Sequence, residues 1–589
     1  MKTRHFLIAM LLAVFTTAQA QMQWHSPFET SEPSICGRAW NAETGRTFHR
    51  LPDRLKEQVS KAVWGNSLQC GGLSVKFLST TNHIAVRYVL TGRGNHPNMA
   101  WLNHSGVDLY ATEPDGTSHW VGNHMGWRIK GDSVTITYKP ITNNKRFGHR
   151  MLYELYLPPY NGLKSLEVGV DANAQFCFVE PSAERPVVVY GTSIIHGASP
   201  SRPGLMITNI VSRETGYPII NLGFSGSAKM EPGMFQALAE IDARAFILDP
   251  MPNSFVLSDV TERAVKGIHI LRQKSDAPIL MVESCNQPDS IFNRTTYDRY
   301  RRADALFRKA YEQLKAEGVK NLYYLSSAEI GLTEDAMIEG THPNDIGNRE
   351  YANAYERKLH EMLPEDAADR QFKPILNFRD NSYNQFARHN EVIRLNRTLH
   401  PDILMIGNSI THFWGGQPQG RDNGASSWKK LFGKRKVVNM GFGWDRIENV
   451  YWRIFHGEFE ACSPRQIFLM IGVNNLSKGD KPADVAGGII RLARFIRQRQ
   501  PQAKLHVIEI IPSRSLDAKV KATNEVLRAQ FPQNEGIDLI DLRPYMLKQG
   551  GSDEVDWSLY LNDGTHPNAK GYEQMAKGLK KCLKSTNNK

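Results

Sequence analysis

Two serines, two carboxylates and two histidines recur in this chain in the same order, and together they suit one kind of chemistry. Gly191-Thr192-Ser193-Ile194 and Gly407-Asn408-Ser409-Ile410 each place a serine just after a short apolar run. Glu339 stands three residues before His342, and Asp563 three before His566; both histidines sit in the pentapeptide GTHPN, at 340–344 and 564–568. A histidine can take the serine proton on one imidazole nitrogen while a carboxylate accepts from the other, which activates the hydroxyl for attack on an acyl carbon. A serine at such a turn serves equally as a helix N-cap, and a solitary histidine can be structural. Packing alone does not require all three residue types to recur together.

Acyl chemistry also needs donors for the developing oxyanion, each worth about 10²–10³ in rate. The segments NLGFSG (221–226) and NMGFGW (439–444) supply turns, and Asn253 and Asn474 supply side-chain amides. Aligning Arg244–Asn253 with Arg465–Asn474 pairs the two asparagines without a gap. Each asparagine also suits ordinary turn stabilisation.

These residues need elements to hold them. Upstream of the first GTHPN lie the apolar runs VVVYGTS (187–193), PIINLG (218–223), AFILDP (245–250), PILMVES (278–284) and NLYYLS (321–326). The second copy offers DILMIGNS (402–409), KVVNMG (436–441), QIFLMIG (466–472), LHVIEII (505–511) and IDLIDL (537–542). Such runs read as strands buried on both faces. Helical patterns such as 299–318 and 483–500 lie between them, which predicts a parallel sheet with helices on both sides. Ser193 and Ser409 are 216 positions apart, Asn221 and Asn439 218, Asn253 and Asn474 221, His342 and His566 224. That small, one-directional drift marks a whole-domain tandem repeat with loop insertions. In an open parallel sheet, sites form outside the carboxyl ends of the strands, where all the matched polar residues fall.

The four ordered blocks resemble the SGNH, or GDSL, hydrolase family, over 184–365 and again over 375–584, with 366–374 as linker. The resemblance implies two tandem three-layer α/β/α, flavodoxin-like domains that need no metal and no cofactor. It also implies an oxyanion hole formed by the serine N–H, a glycine N–H and the asparagine side chain. Those roles fall on Ser193, Gly226 and Asn253 in the first unit, with Glu339 and His342 completing a triad. The second unit offers Ser409, Asn474, Asp563 and His566, and its NMGFGWDRIENVYWRI resembles the platelet-activating-factor acetylhydrolase-like branch. Trp444 occupies the glycine position there, where its backbone N–H could still donate and its indole could wall the acyl pocket. The family's GDS is GTS and GNS here, the first acid is Glu rather than Asp, and DPMPN replaces GxND.

Residues 22–183 differ in kind. Alternating segments such as HIAVRYVL (83–90) and DSVTITYK (132–139) predict an antiparallel β-sandwich. Gly106-Val107-Asp108-Leu109-Tyr110 resembles the GxDLY stretch that precedes some bacterial SGNH esterases. Trp101, Trp120 and Trp127 could stack on sugar rings, though tryptophans are more often buried in packing. Residues 1–20 combine Lys2 and Arg4, an apolar run and Ala18-Gln19-Ala20, the pattern of a secretory signal peptide; periplasmic or secreted export is the expectation.

At 589 residues the chain needs several cores, and its six cysteines are too scattered for a zinc site. No later stretch reads as a membrane span. The net charge of +12 suits a solvated surface as well as an acidic partner, and without a basic–aromatic module nucleic acid is not expected. No GxSxG elbow suggests an α/β-hydrolase lipase. The leading expectation is therefore an exported carbohydrate O-acetylesterase working through an acetyl-enzyme, on plant cell-wall polysaccharide or its oligosaccharides. The alternatives are a lipid or thioester hydrolase, or a glycan-binding protein with one inactive unit. The sequence does not specify an oligomeric state.

Overall fold

The computed structural model describes residues 22–94, 96–113, 116–122, 126–141, 150–285, 292–363, 383–531, 536–550 and 552–584. The export signal expected at 1–20 and the linker expected at 366–374 lie outside them.

The N-terminal strands are β1 (Met22–His25), β2 (Ser74–Ser79), β3 (Ile84–Leu90), β4 (Asp108–Thr112), β5 (Ser118–Gly122), β6 (Gly126–Lys130), β7 (Ser133–Thr137), β8 (Met151–Tyr156), β9 (Leu163–Asp171) and β10 (Phe176–Phe178). They form two antiparallel sheets, ordered β1-β9-β3-β7-β6 and β10-β2-β8-β4-β5. Val86, Tyr88, Val168 and Leu166 of one sheet share a buried core with Phe77, Val75, Tyr153 and Leu155 of the other, as period-2 burial of a sandwich requires.

Two parallel sheets follow. The first has β11 (Val187–Gly191), β12 (Ile219–Gly223), β13 (Ala245–Asp249), β14 (Ile279–Val282) and β15 (Leu322–Leu325); the second has β16 (Ile403–Gly407), β17 (Val437–Gly441), β18 (Gln466–Met470), β19 (Lys504–Ile508) and β20 (Ile537–Ile540). Their orders are β12-β11-β13-β14-β15 and β17-β16-β18-β19-β20, the same topology twice.

The continuous apolar character of these strands is explained by what covers them. In the first sheet Val188, Tyr190, Phe246 and Leu248 pack on Met234, Ile268 and Phe307 from helices Pro232–Leu238, Val260–Arg272 and Arg294–Ala316. Their alternates Val187, Val189 and Ile247 pack on Ile210, Tyr351 and Tyr355 from helices Ile207–Thr215 and Asp345–Met362. Each unit is thus an α/β/α layer structure. The chain leaves its first strand to the left for the second and to the right for the third, so a crevice opens beyond the carboxyl ends of β11 and β16.

The GVDLY stretch latches the sandwich to the first unit. Asp108 is fully buried and accepts from Arg202 Nη1 at 2.5 Å, Gly204 N at 3.0 Å and Trp120 Nε1 at 2.8 Å. Arg202 also donates to Tyr110 Oη at 2.7 Å and lies 4.6 Å over the Trp120 ring. Gly204 is required by the close approach, since a Cβ there would stand 2.5 Å from Asp108 Oδ2. Farther along, Arg244 joins the two units, its Nη2 lying 2.8 Å from both Glu184 and Glu460.

Removing one partner of a buried ion pair strands the other. Asp108→Ala should therefore destabilise the β-domain by about 3 kcal/mol, read as faster hydrogen exchange in β4 and in 199–206. Unchanged exchange would show that the latch is not held by this carboxylate.

Candidate active sites

Each serine follows its strand by two residues and begins a short helix, Ser193–His196 or Ser409–His412. The N-cap, however, is the preceding residue. Thr192 Oγ1 accepts from Ile194 N at 3.4 Å, and Asn408 Oδ1 from Ile410 N at 2.9 Å. The departures from GDS are thus capping residues, and the capping role that a serine there could have filled is already taken.

Both serine hydroxyls, 7% and 8% exposed as residues, meet their histidines. Ser193 Oγ lies 2.7 Å from His342 Nε2, and Ser409 Oγ 2.8 Å from His566 Nε2. On the far side of the rings, Asp563 Oδ2 is 2.8 Å from His566 Nδ1, and Glu339 Oε1 bonds His342 Nδ1. Backbone donors fix the carboxylates: Thr565 and His566 N–H reach Asp563 at 2.8 and 2.9 Å, Thr341 and His342 N–H reach Glu339 at 2.9 and 3.1 Å. Burial works against ionisation of both acids. For Glu339 the bond to His342 and the histidine's charge outweigh burial, and for Asp563 the backbone donors do so first. Both carboxyls stay below the ordinary range. The extra methylene of glutamate is accommodated without losing any of the three bonds. Two other carboxylates near this end of the sheet do not touch His342. Asp345 accepts from Ser201 N at 2.7 Å, while Asp249 accepts from Tyr351 and Tyr355 at 2.7 and 2.6 Å and is pushed up to about 7 by burial.

The loops after β12 and β17 carry the expected oxyanion donors on residues of similar positive φ. Gly226 has φ +69° and Trp444 φ +64°. For a glycine that costs nothing, whereas a tryptophan there stores about 1–3 kcal/mol of strain. Its indole, expected to wall the acyl pocket, belongs to a residue that is 61% exposed, more open to solvent than an enclosing wall would be. Asn253 and Asn474 follow β13 and β18 and each is tied to the neighbouring loop. Asn253 Oδ1 accepts from Ala228 N at 3.4 Å, whereas Asn474 Nδ2 donates to Asp445 O at 2.9 Å. An amide nitrogen has two protons, so a donor remains on Asn474 for an oxyanion.

Of the tryptophans suggested as sugar platforms, Trp120 has a ring face occupied by Arg202, Trp101 is partly buried at the sandwich core, and the side chain of Trp127 lies outside the described residues. Sequence reasoning missed a β-domain residue beside the first triad, Asn98, and its partner Ser199 in the first unit. Asn98 Nδ2 comes within 3.4 Å of His342 Nδ1, and Ser199 Oγ donates to Asn98 O at 2.9 Å. It also passed over His196 and His412, each three residues after its serine, a repeat that could have been found.

Known protein families match most of the chain. The GDSL-like Lipase/Acylhydrolase family matches residues 184–360 and, through a second profile of the same description, residues 405–574. Residues 22–176 match the domain described as the N-terminus of Esterase_SGNH_hydro-type. The platelet-activating factor acetylhydrolase IB subunit alpha2 of Gallus gallus is 30% identical over 191 residues, 31% of this chain and 77% of that one. The Homo sapiens protein of that name is 28% identical over 207 residues, 33% of this chain and 82% of its own. A structure from Bacteroides ovatus described as a GDSL-like lipase superposes with TM-score 0.53 and 30% identity, covering 58% of this chain and 98% of that one. The chain belongs to the SGNH/GDSL hydrolase family, with a GxDLY-type N-terminal domain and two hydrolase units.

Glu339→Gln should keep the fold and lower first-unit turnover by about 10⁴, since an amide no longer sets the imidazole tautomer; p-nitrophenyl acetate hydrolysis in a Ser409→Ala background reads it. A separate expectation concerns strain. Trp444→Gly should stabilise the second unit by about 1 kcal/mol against denaturant while retaining most acetyl-ester turnover, because the backbone N–H remains. Lower stability would mean that the indole contributes more packing than the conformation costs.

Proposed function

We propose that this chain is an exported serine ester hydrolase with two active sites, each releasing a short acyl group through an acyl-enzyme. The observation that carries it is the pair of complete hydrogen-bonded chains, Ser193–His342–Glu339 and Ser409–His566–Asp563. In each, the histidine takes the hydroxyl proton as Oγ attacks the ester carbonyl and returns it to the leaving alcohol; water then repeats the sequence on the acyl-enzyme. Ser N–H, the N–H of Gly226 or Trp444 and the amide of Asn253 or Asn474 would stabilise the tetrahedral oxyanions. Export rests on the residue pattern of 1–20.

For the substrate, the relatives' names support an acetyl group and the family's description supports a lipid-type ester. That favours a lipid acyl ester over the acetylated carbohydrate that led the sequence reading, and neither site has lost a residue that a purely glycan-binding role would make dispensable. Among the described residues no helix is long and apolar enough to cross a membrane.

A serine-reactive phosphonate should add two tags to the intact protein, one lost in Ser193→Ala and the other in Ser409→Ala. Acetate release should then be measured on a short-chain acetyl phospholipid and on acetylated xylan, pectin and mannan. Turnover confined to the polysaccharides would return the reading to carbohydrate, and the absence of both tags and hydrolysis would remove the enzymatic reading altogether.

A further inference from the structure

Behind each oxyanion loop lies a buried arginine, supplied by the β-domain in the first unit and by the unit itself in the second. Arg50 of the β-domain is 1% exposed and reaches across to the end of β12, donating from Nη1 to Gly223 O at 2.8 Å and Asn221 O at 3.3 Å. Its remaining nitrogens bond Asn66 O at 2.7 Å and Gln69 O at 3.0 Å, within the β-domain. Arg388, on the helix Gln385–Leu399 that precedes β16, is 5% exposed and makes the matching bonds, from Nε to Gly441 O at 2.9 Å and from Nη2 to Asn439 O at 3.0 Å. Pro418 O and Gln419 O take its Nη1 at 2.9 and 3.3 Å. The correspondence extends to the rings below: the guanidinium carbon lies 5.1 Å over Phe224 in one unit and 5.2 Å over Phe442 in the other.

A tyrosine accompanies each arginine. Tyr160, also of the β-domain, stacks on His196 at 4.4 Å and donates to Ser193 O at 3.3 Å. Tyr383 meets His412 edge-on at 4.9 Å and donates to Gly443 O at 3.4 Å. The two histidines form the floor on which strand and nucleophile helix meet; a Cβ on Gly223 or Gly441 would come within 2.2 or 2.3 Å of the His196 or His412 backbone N. Burial and the nearby arginine charge keep both imidazoles neutral, His412 pushed down to about 2. Arg50 Nη2 stands 3.2 Å from His196 Nε2, which a neutral ring can offer as an acceptor.

A guanidinium is always charged and presents its donors in a rigid fork. Fixed on the carbonyls of the first and third residues of Asn-Leu-Gly and Asn-Met-Gly, it sets the peptide planes from which the oxyanion loop departs. We propose that Arg50 and Tyr160 are positioning residues of the first site, and Arg388 and Tyr383 of the second, so that the β-domain is a constituent of the first active site while the second unit carries its own equivalent. The inference rests on the esterase reading for its catalytic consequence and on the mirrored geometry for its structural one.

The test uses the full chain. In a Ser409→Ala background, which reads the first site, Arg50→Met should lower kcat for p-nitrophenyl acetate about 10²-fold, as does loss of an oxyanion donor, with KM little changed. Arg50→Lys, which keeps the charge but not the fork, should fall between. In a Ser193→Ala background the same Arg50 variants should leave second-site turnover intact, and Arg388→Met should reverse the pattern. Hydrogen exchange at 224–227 should quicken in Arg50→Met, and at 442–445 in Arg388→Met, each without the other. Exchange reads the loops directly, so it decides the positioning role even if the parent proteins hydrolyse nothing, an outcome that would count against the esterase reading alone. Unchanged exchange and kcat in a folded variant would overturn the proposal. So would exchange quickening equally in both loops, which would make the arginine a general structural strut, and Arg50→Lys supplies the same readings where Arg50→Met does not fold.

Discussion

A hydrogen bond of 2.7 or 2.8 Å between a serine hydroxyl and an imidazole is the constraint around which each unit is arranged. Its partners are 149 residues apart in the first unit and 157 in the second, so no local structure can secure it. The parallel sheet does, by placing the serine beyond its first strand and the GTHPN loop beyond its last, at the same end. The loop in turn holds its histidine through a carboxylate three residues upstream, pinned by the backbone N–H groups between them. That local cradle is why glutamate and aspartate both reach the imidazole: the backbone donors set the carboxylate, and the longer chain only redistributes which oxygen takes which bond.

The oxyanion side is organised differently. It depends on a turn with a positive φ, which glycine enters freely and tryptophan enters at a cost. Both units carry that turn on the loop after the second strand, the edge strand of the sheet. An edge has free carbonyls on one side, and it is there that Arg50 and Arg388 bind. Domain order and catalytic geometry are coupled through this edge. The β-sandwich covers it in the first unit, held in place by Asp108 and Arg202, and the helix Gln385–Leu399 with residues 417–419 covers it in the second.

Much of the fold could be read in advance. Ten apolar runs became ten parallel strands because a strand buried on both faces admits few polar residues, and alternation in 83–90 and 132–139 marked the sandwich. Two details were not legible. The serine was ambiguous between cap and nucleophile, and only the structure shows Thr192 and Asn408 doing the capping. Trp444 was expected to wall a pocket, yet the direction of an indole on a left-handed residue is set by the backbone around it, and it points largely to solvent.

Residue type, order and spacing along the chain determined the family, the duplication and the serine, histidine and carboxylate that the structure hydrogen-bonds together, because the local motifs that carry them are short. Tertiary structure alone decided which distant groups would complete each site. Arg50 lies 143 positions before Ser193 and in another domain, whereas Arg388 lies only 21 before Ser409. No periodicity connects them, and an arginine that binds backbone carbonyls needs no complementary side chain whose identity would betray it. Their equivalence exists only in space, where the same carbonyls at the same strand end call for the same fork of donors.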